Sequence, residues 1–139
     1  MRPEYYEGKL QLRNPSEKVL DYVEDAIARD GKVFIAKKDR LKNGYDLQLS
    51  SQNFLRNIGR KLQDKFSGEL MLSSKLAGRS KSGKDLYRVN VLFRMYSFRK
   101  GSTVTYRGES YKVLETAHRV RIKSIETGKS ITVGYGDIS

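Results

Sequence analysis

Gly78-Arg79-Ser80-Lys81-Ser82-Gly83-Lys84 has the spacing of a phosphate-binding loop: a glycine, four residues, a glycine and a lysine. Nucleotide hydrolysis asks for more, namely a Ser or Thr after the lysine to hold magnesium and a helix whose first amides cradle the phosphates. Asp85 follows instead, a carboxylate that repels phosphate, and Leu86 to Met95 alternate as a strand. The segment therefore reads as a hairpin tip, and its functional version is a basic finger that touches phosphate. Residues 75–84 contain Lys75, Arg79, Lys81 and Lys84 with no acid, and Arg88, Arg94, Arg99 and Lys100 extend the densest positive stretch of the chain. A smaller basic cluster, Lys37, Lys38, Arg40 and Lys42 around Asp39, is ordinary for a solvated hairpin tip.

Other reactive side chains are sparse. His118 is the single histidine and sits in a turn-like Glu115-Thr116-Ala117-His118-Arg119 with no partner for nucleophilic catalysis. Glu17, Asp21, Glu24 and Asp25 have helical spacing on a solvated face, not the convergence of a cleft. With no cysteine, thiolate zinc sites, iron–sulfur clusters and disulfides are excluded together. The expectation is a protein without catalytic residues, metal or cofactor, and without a small-molecule substrate.

What remains is charge. In 139 residues, 28 Lys+Arg stand against 16 Asp+Glu, a net +12 that favours nucleic acid first, an anionic membrane second and an acidic protein third. A 37% hydrophobic content is enough for a core, and 32% charge with two prolines fits a folded chain of one or two small domains. No stretch has the length of a membrane span, signal peptide or export signal, so the expected location is cytoplasmic and no membrane partner is expected. Nine tyrosines and five phenylalanines could stack on unpaired bases, but most are expected in the core, with Tyr5, Tyr106 and Tyr135 unassigned.

The elements that must carry these cations follow from periodicity. Tyr5 to Leu12 alternates as a half-buried strand, with Tyr6, Leu10 and Leu12 on the inner parity. Asn14-Pro15-Ser16-Glu17 opens a helix whose stripe is Val19, Leu20, Val23, Ala26 and Ile27, closed by Asp30-Gly31. Strand residues from Val33 to Ile35 and Tyr45 to Leu49 flank the turn Lys42-Asn43-Gly44. Ser51 caps a second helix with Phe54, Leu55, Ile58, Leu62 and Phe66 inward and Arg56 and Arg60 outward. After Ser67-Gly68 come two long strands, the second with Tyr87, Val89, Val91, Phe93 and Met95 on one face and Arg88, Asn90 and Arg94 on the other. The order β-α-β-β-α-β-β predicts an α+β fold with two helices packed on one face of an antiparallel or mixed sheet. From Phe98 onward, short β-rich runs separated by glycine turns predict a small SH3-like β-barrel, which gives domains at 1–97 and 98–139. Residues 97–139 hold eight Lys+Arg and four Asp+Glu, so both parts are basic.

Several of these segments resemble one family. Tyr5-Tyr6-Glu7-Gly8-Lys9-Leu10-Gln11-Leu12-Arg13, Gly44-Tyr45-Asp46-Leu47-Gln48-Leu49, Leu72-Ser73-Ser74-Lys75-Leu76, Tyr87-Arg88-Val89-Asn90-Val91 and Lys100-Gly101-Ser102-Thr103-Val104 are similar, in order, to the core of the archaeal and eukaryotic large ribosomal subunit export adaptor family, named after nonsense-mediated decay. The resemblance implies a first unit like a large-subunit ribosomal protein and a second like the barrel of translation factor five-A. It also implies partners: the large ribosomal subunit, its rRNA, and ribosomal proteins near the tRNA exit site. The family's Cys-x-x-Cys zinc ribbons and leucine-rich export signal have no counterpart here, so the sequence corresponds to the family core, and no export role follows.

The expected function is non-catalytic binding of the large subunit through rRNA phosphates, in subunit biogenesis, in an export-adaptor-like role or in quality control. The alternative is a general structured-RNA-binding protein or RNA chaperone. The expected RNA-binding residues are Lys75, Arg79, Lys81, Lys84, Arg88 and Arg94, then Arg56 and Arg60, then Arg119, Arg121 and Lys123.

Overall fold

The computed structural model describes residues 5–66, 68–79 and 81–138. Ser67, read above as preceding the two long strands, and Ser80, read above as part of the hairpin tip, lie outside the described residues. The first part runs β1 (Gly8–Arg13), α1 (Glu17–Asp30), β2 (Ile35–Leu41), β3 (Gly44–Leu49), α2 (Gln52–Phe66), β4 (Glu69–Arg79) and β5 (Asp85–Arg94). Its strands form one mixed sheet in the order β2-β3-β1-β5-β4, with β1 antiparallel to β3 and parallel to β5. Two helices and this sheet make the fold α+β, as the element order predicts.

Capping chemistry sets the helix ends. Val19 N donates to Ser16 Oγ at the start of α1, and Gly31 closes it in the left-handed region at φ 74°. At the start of α2, Phe54 N donates to Ser51 Oγ and Gln52 N donates to the Glu7 carboxylate, which ties the helix to the segment leading into β1. Both helices bury their stripes on one sheet face: Val19 and Val23 of α1 and Leu55, Ile58 and Leu62 of α2 meet Leu10, Leu12, Leu47, Leu49, Val89, Val91 and Phe93. β5 and α2 both crowd Gly8: a Cβ there would stand 2.1 Å from the Val89 carbonyl oxygen and 2.6 Å from Leu55 Cδ1.

One inner position differs from the alternation read above. Glu7 forms a bend before β1 and turns its carboxylate to α2, so Tyr6 sits on the sheet face away from the helices and not in the stripe with Leu10 and Leu12. The long-range bond from Gln52 N outweighs the local period of two.

The remaining strands, β6 (Thr103–Tyr106), β7 (Glu109–Thr116), β8 (Val120–Ser124) and β9 (Ser130–Val133), form a four-stranded antiparallel meander. Among the described residues no ladder joins β9 back to β6, so the sheet is not a closed barrel. Its own core holds Phe98, Val104, Val113, Val120, Ile122, Val133 and Tyr135. Tyr96 and Tyr135 stack with centroids 4.8 Å apart, and Phe98 lies 5.4 Å from Tyr96. The Tyr135 hydroxyl lies 2.6 Å from the Ala117 carbonyl and 3.1 Å from that of Gly68, and Tyr96 donates to Glu69. Burial, then the nearby Glu69 charge, push the Tyr135 hydroxyl above its ordinary pKa.

Among the described residues no helix is long and apolar enough to cross a membrane.

Candidate nucleic-acid interface

Because α1 and α2 both lie on one face of the five-stranded sheet, the other face has no covering helix among the described residues. Alternation along β1 turns Lys9, Gln11 and Arg13 onto it, and alternation along β5 adds Arg88, Asn90 and Arg94. The ladders then decide which of these are neighbours. Lys75 lies directly across from Arg88, Lys9 across from Asn90, and Arg13 across from Arg94.

These cations fall into two kinds. Arg13 is neutralised by Asp46 at 2.8 Å, and Arg94 stands 3.6 Å from Glu69. Among the described residues, Lys9, Lys75 and Arg88 have no carboxylate within 4.0 Å. Like charges directly opposite on neighbouring strands cost stability, so the Lys75 and Arg88 pair is a local expense that an anion would relieve. Both line a groove of about 370 Å³ together with Tyr6, Lys9, Gln11 and Asn90.

Arg88 is held in place there. Its guanidinium lies 3.9 Å from the centroid of the Tyr6 ring, and its Nε donates to the Tyr6 carbonyl. The displacement of Tyr6 from the core therefore supplies the platform on which the cation rests, and a fixed guanidinium loses less freedom on meeting a phosphate.

The other predicted residues are dispersed. Arg79 is engaged by Asp85 at 3.1 Å across the base of the hairpin tip, and Lys81 lies in the turn beyond it. Lys84 immediately precedes β5, which is a strand and not the helix a phosphate-binding loop requires. Arg56 and Arg60 project from the solvent side of α2, behind the sheet from the groove. Arg119 sits in the turn before β8, where Ala117 N donates to its carbonyl, and Arg121 is 4.0 Å from Glu115. Lys123 lies opposite Lys112, a second like-charged pair, on the four-stranded sheet. The exposed His118 is in the same turn as Arg119.

The structure thus joins Lys75 and Arg88 in one groove, leaves Arg94 nearby but paired, and places the rest on three other surfaces. Lys9, Tyr6 and Lys112 are additions. The outward parity of Lys9 was visible in the sequence, but its neighbourhood was not, because the β1–β5 ladder joins residues 81 positions apart (Gly8 with Val89).

No curated protein matches the chain. A family model described as NMD3, second domain, matches residues 5–95, the span that contains the five-stranded sheet, both helices and the groove. On that match the chain belongs to the NMD3 family, a family associated with the large ribosomal subunit.

Proposed function

We propose that this chain is a non-catalytic module that binds the large ribosomal subunit by laying the uncovered sheet face on rRNA, in subunit biogenesis or in an export-adaptor-like or quality-control role. The observation that carries the proposal is the Lys75, Arg88 and Lys9 cluster, cationic, without a carboxylate partner among the described residues, and set in an open groove. Such a site takes backbone phosphates, which give affinity and register with little reading of base sequence. In this reading residues 98–139 act as a second unit of SH3-like type, similar to the barrel of translation factor five-A. Its Lys112, Lys123 and Arg121 add contacts of shape and charge. The protein works in the cytoplasm, and ribosomal proteins beside the tRNA exit site share the surface.

Co-sedimentation with separated ribosomal subunits across a salt series tests this. Retention on large subunits alone near physiological salt is the expected result. Replacing Lys9, Lys75 and Arg88 by Ala should weaken retention and reduce the slope of log affinity on log salt by about 0.7–0.9 per lost contact. Equal loss from both subunits would leave only generic attraction to RNA, the behaviour of a structured-RNA chaperone.

A further inference from the structure

The two edges of the five-stranded sheet are unlike each other. At one edge β2, Ile-Ala-Lys-Lys-Asp-Arg-Leu, is charged along its length, the usual protection against pairing with another chain. At the other edge β4 runs for 11 residues, and between Leu70 and Gly78 it has one charge, Lys75, and no proline. Its only strand neighbour among the described residues is β5. The backbone groups on the far side of β4 are therefore offered to solvent over a length matched to a short peptide.

The side chains along this edge are apolar where they need not be. Helix α2 covers Leu70 of β4 and Val91 of β5, both within 3.2 Å of a Cβ built on Gly59. Beyond it the core parity continues uncovered: Leu72, Leu76 and Tyr87 are 52%, 53% and 50% exposed. Clustered exposure of this kind marks an interaction surface. Phosphate gains nothing from leucine, so RNA fits this edge poorly. A second copy fits poorly too, since pairing two β4 edges would bring two Lys75 side chains and two +12 molecules together. The chemistry that complements the edge is a strand with apolar residues on one face and carboxylates on the other.

We propose that the free edge of β4 from Leu70 to Leu76 accepts an extended segment of an acidic protein by β-strand addition, with apolar side chains against Leu72 and Leu76 and a carboxylate at Lys75. This surface adjoins the uncovered sheet face and shares Lys75 and Leu76 with its groove, so the peptide and rRNA compete for Lys75 while Lys9 and Arg88 serve rRNA alone.

The test uses the whole chain and a fluorescein-labelled octapeptide alternating glutamate with valine, read by anisotropy, with hydrogen exchange at residues 70–76. Saturable binding that protects these amides is expected, weakened at least fivefold in the Leu72→Ser, Leu76→Ser double variant and in Lys75→Glu. The Lys9→Ala, Arg88→Ala variant, impaired for ribosomal subunits, should bind the peptide as the parent does. Equal affinity for an octapeptide alternating lysine with valine would overturn the proposal, as would binding unaffected by the leucine substitutions in variants whose circular dichroism matches the parent. Concentration-dependent dimerisation abolished by those substitutions would overturn it in favour of a second copy, and protection of 70–76 by single-stranded RNA alone would overturn it in favour of RNA.

Discussion

Tyr135 reaches Gly68 across 67 residues of sequence, its hydroxyl 3.1 Å from the Gly68 carbonyl and 2.6 Å from that of Ala117. One hydroxyl has one proton to donate, and the Ala117 carbonyl, in the bend between β7 and β8 and at the shorter distance, is the better acceptor. The ring is buried against Tyr96, which donates to Glu69 of β4. The four-stranded sheet is thus fastened to the start of β4 by the Tyr96–Glu69 hydrogen bond and the aromatic stack, with the Gly68 carbonyl beside the Tyr135 hydroxyl. Tyr135→Phe keeps the stack and removes the hydroxyl. It should cost about 1–3 kcal/mol in urea denaturation, the range for leaving a buried acceptor unpaired. An unchanged midpoint would show that the stack and the Tyr96–Glu69 bond hold the junction without the Tyr135 hydroxyl.

The same hydroxyl makes stability fall at alkaline pH. Its folded pKa is raised by burial and then by the Glu69 charge, and that of Tyr96 is raised chiefly by burial. The unfolded chain, with tyrosines near the ordinary 10.0, releases protons first. Stability from these groups is complete below pH 10 and is lost as pH rises above it. Melting temperatures taken from pH 8 to 11 should drop more steeply in the parent than in Tyr135→Phe; parallel curves would assign the alkaline loss elsewhere.

Tyr6→Ala leaves every cation in place but removes the platform under Arg88. Affinity for large subunits should fall two- to fivefold, about 0.5–1 kcal/mol, with the salt slope unchanged, whereas Arg88→Ala should lower both. A reduced slope in Tyr6→Ala would mean that the ring orders more than the one guanidinium.

Gly8→Ala and Gly59→Ala should differ sharply. A Cβ at Gly8 meets the Val89 carbonyl at 2.1 Å, in the ladder where Val89 N donates to the Glu7 carbonyl, and backbone there has no room to retreat. At Gly59 the nearest atom is Val91 Cγ1 at 2.9 Å, the end of a side chain. Gly8→Ala should therefore lose about 3 kcal/mol or more and Gly59→Ala about 1 kcal/mol, within the range for overpacking. Thermal denaturation of the two variants decides it, and equal losses would contradict the packing described.

Local pattern made the helices, their caps and the paired strands legible. Val19 and Val23, and Leu55, Ile58 and Leu62, lie inward as their spacing of three and four requires. Ser16 and Ser51 cap as their side chains allow. The site was legible only in part. Lys75 and Arg88 were visible as cations, but their apposition comes from the β4–β5 register, and Lys9 joins them through a parallel pairing that no local signal encodes. Arg56 and Arg60 were grouped with them because outward direction on a helix says nothing about which side of the sheet that helix takes. Tyr6 escaped because a carboxylate one residue on, Glu7, is claimed by a helix that starts 45 residues later.

β1 lies at the centre of its sheet, between β3 and β5, and Gly8 to Arg13 is completed on the second side only by Val89 to Arg94. During synthesis the hairpin of β2 and β3 and both helices precede that closing strand. A nascent chain therefore carries β1 with one flank unsatisfied until the residues 81 positions further on have left the exit tunnel, and closing a loop of that span is entropically slow. The five-stranded sheet can therefore close only after β5 is available, whatever forms before it.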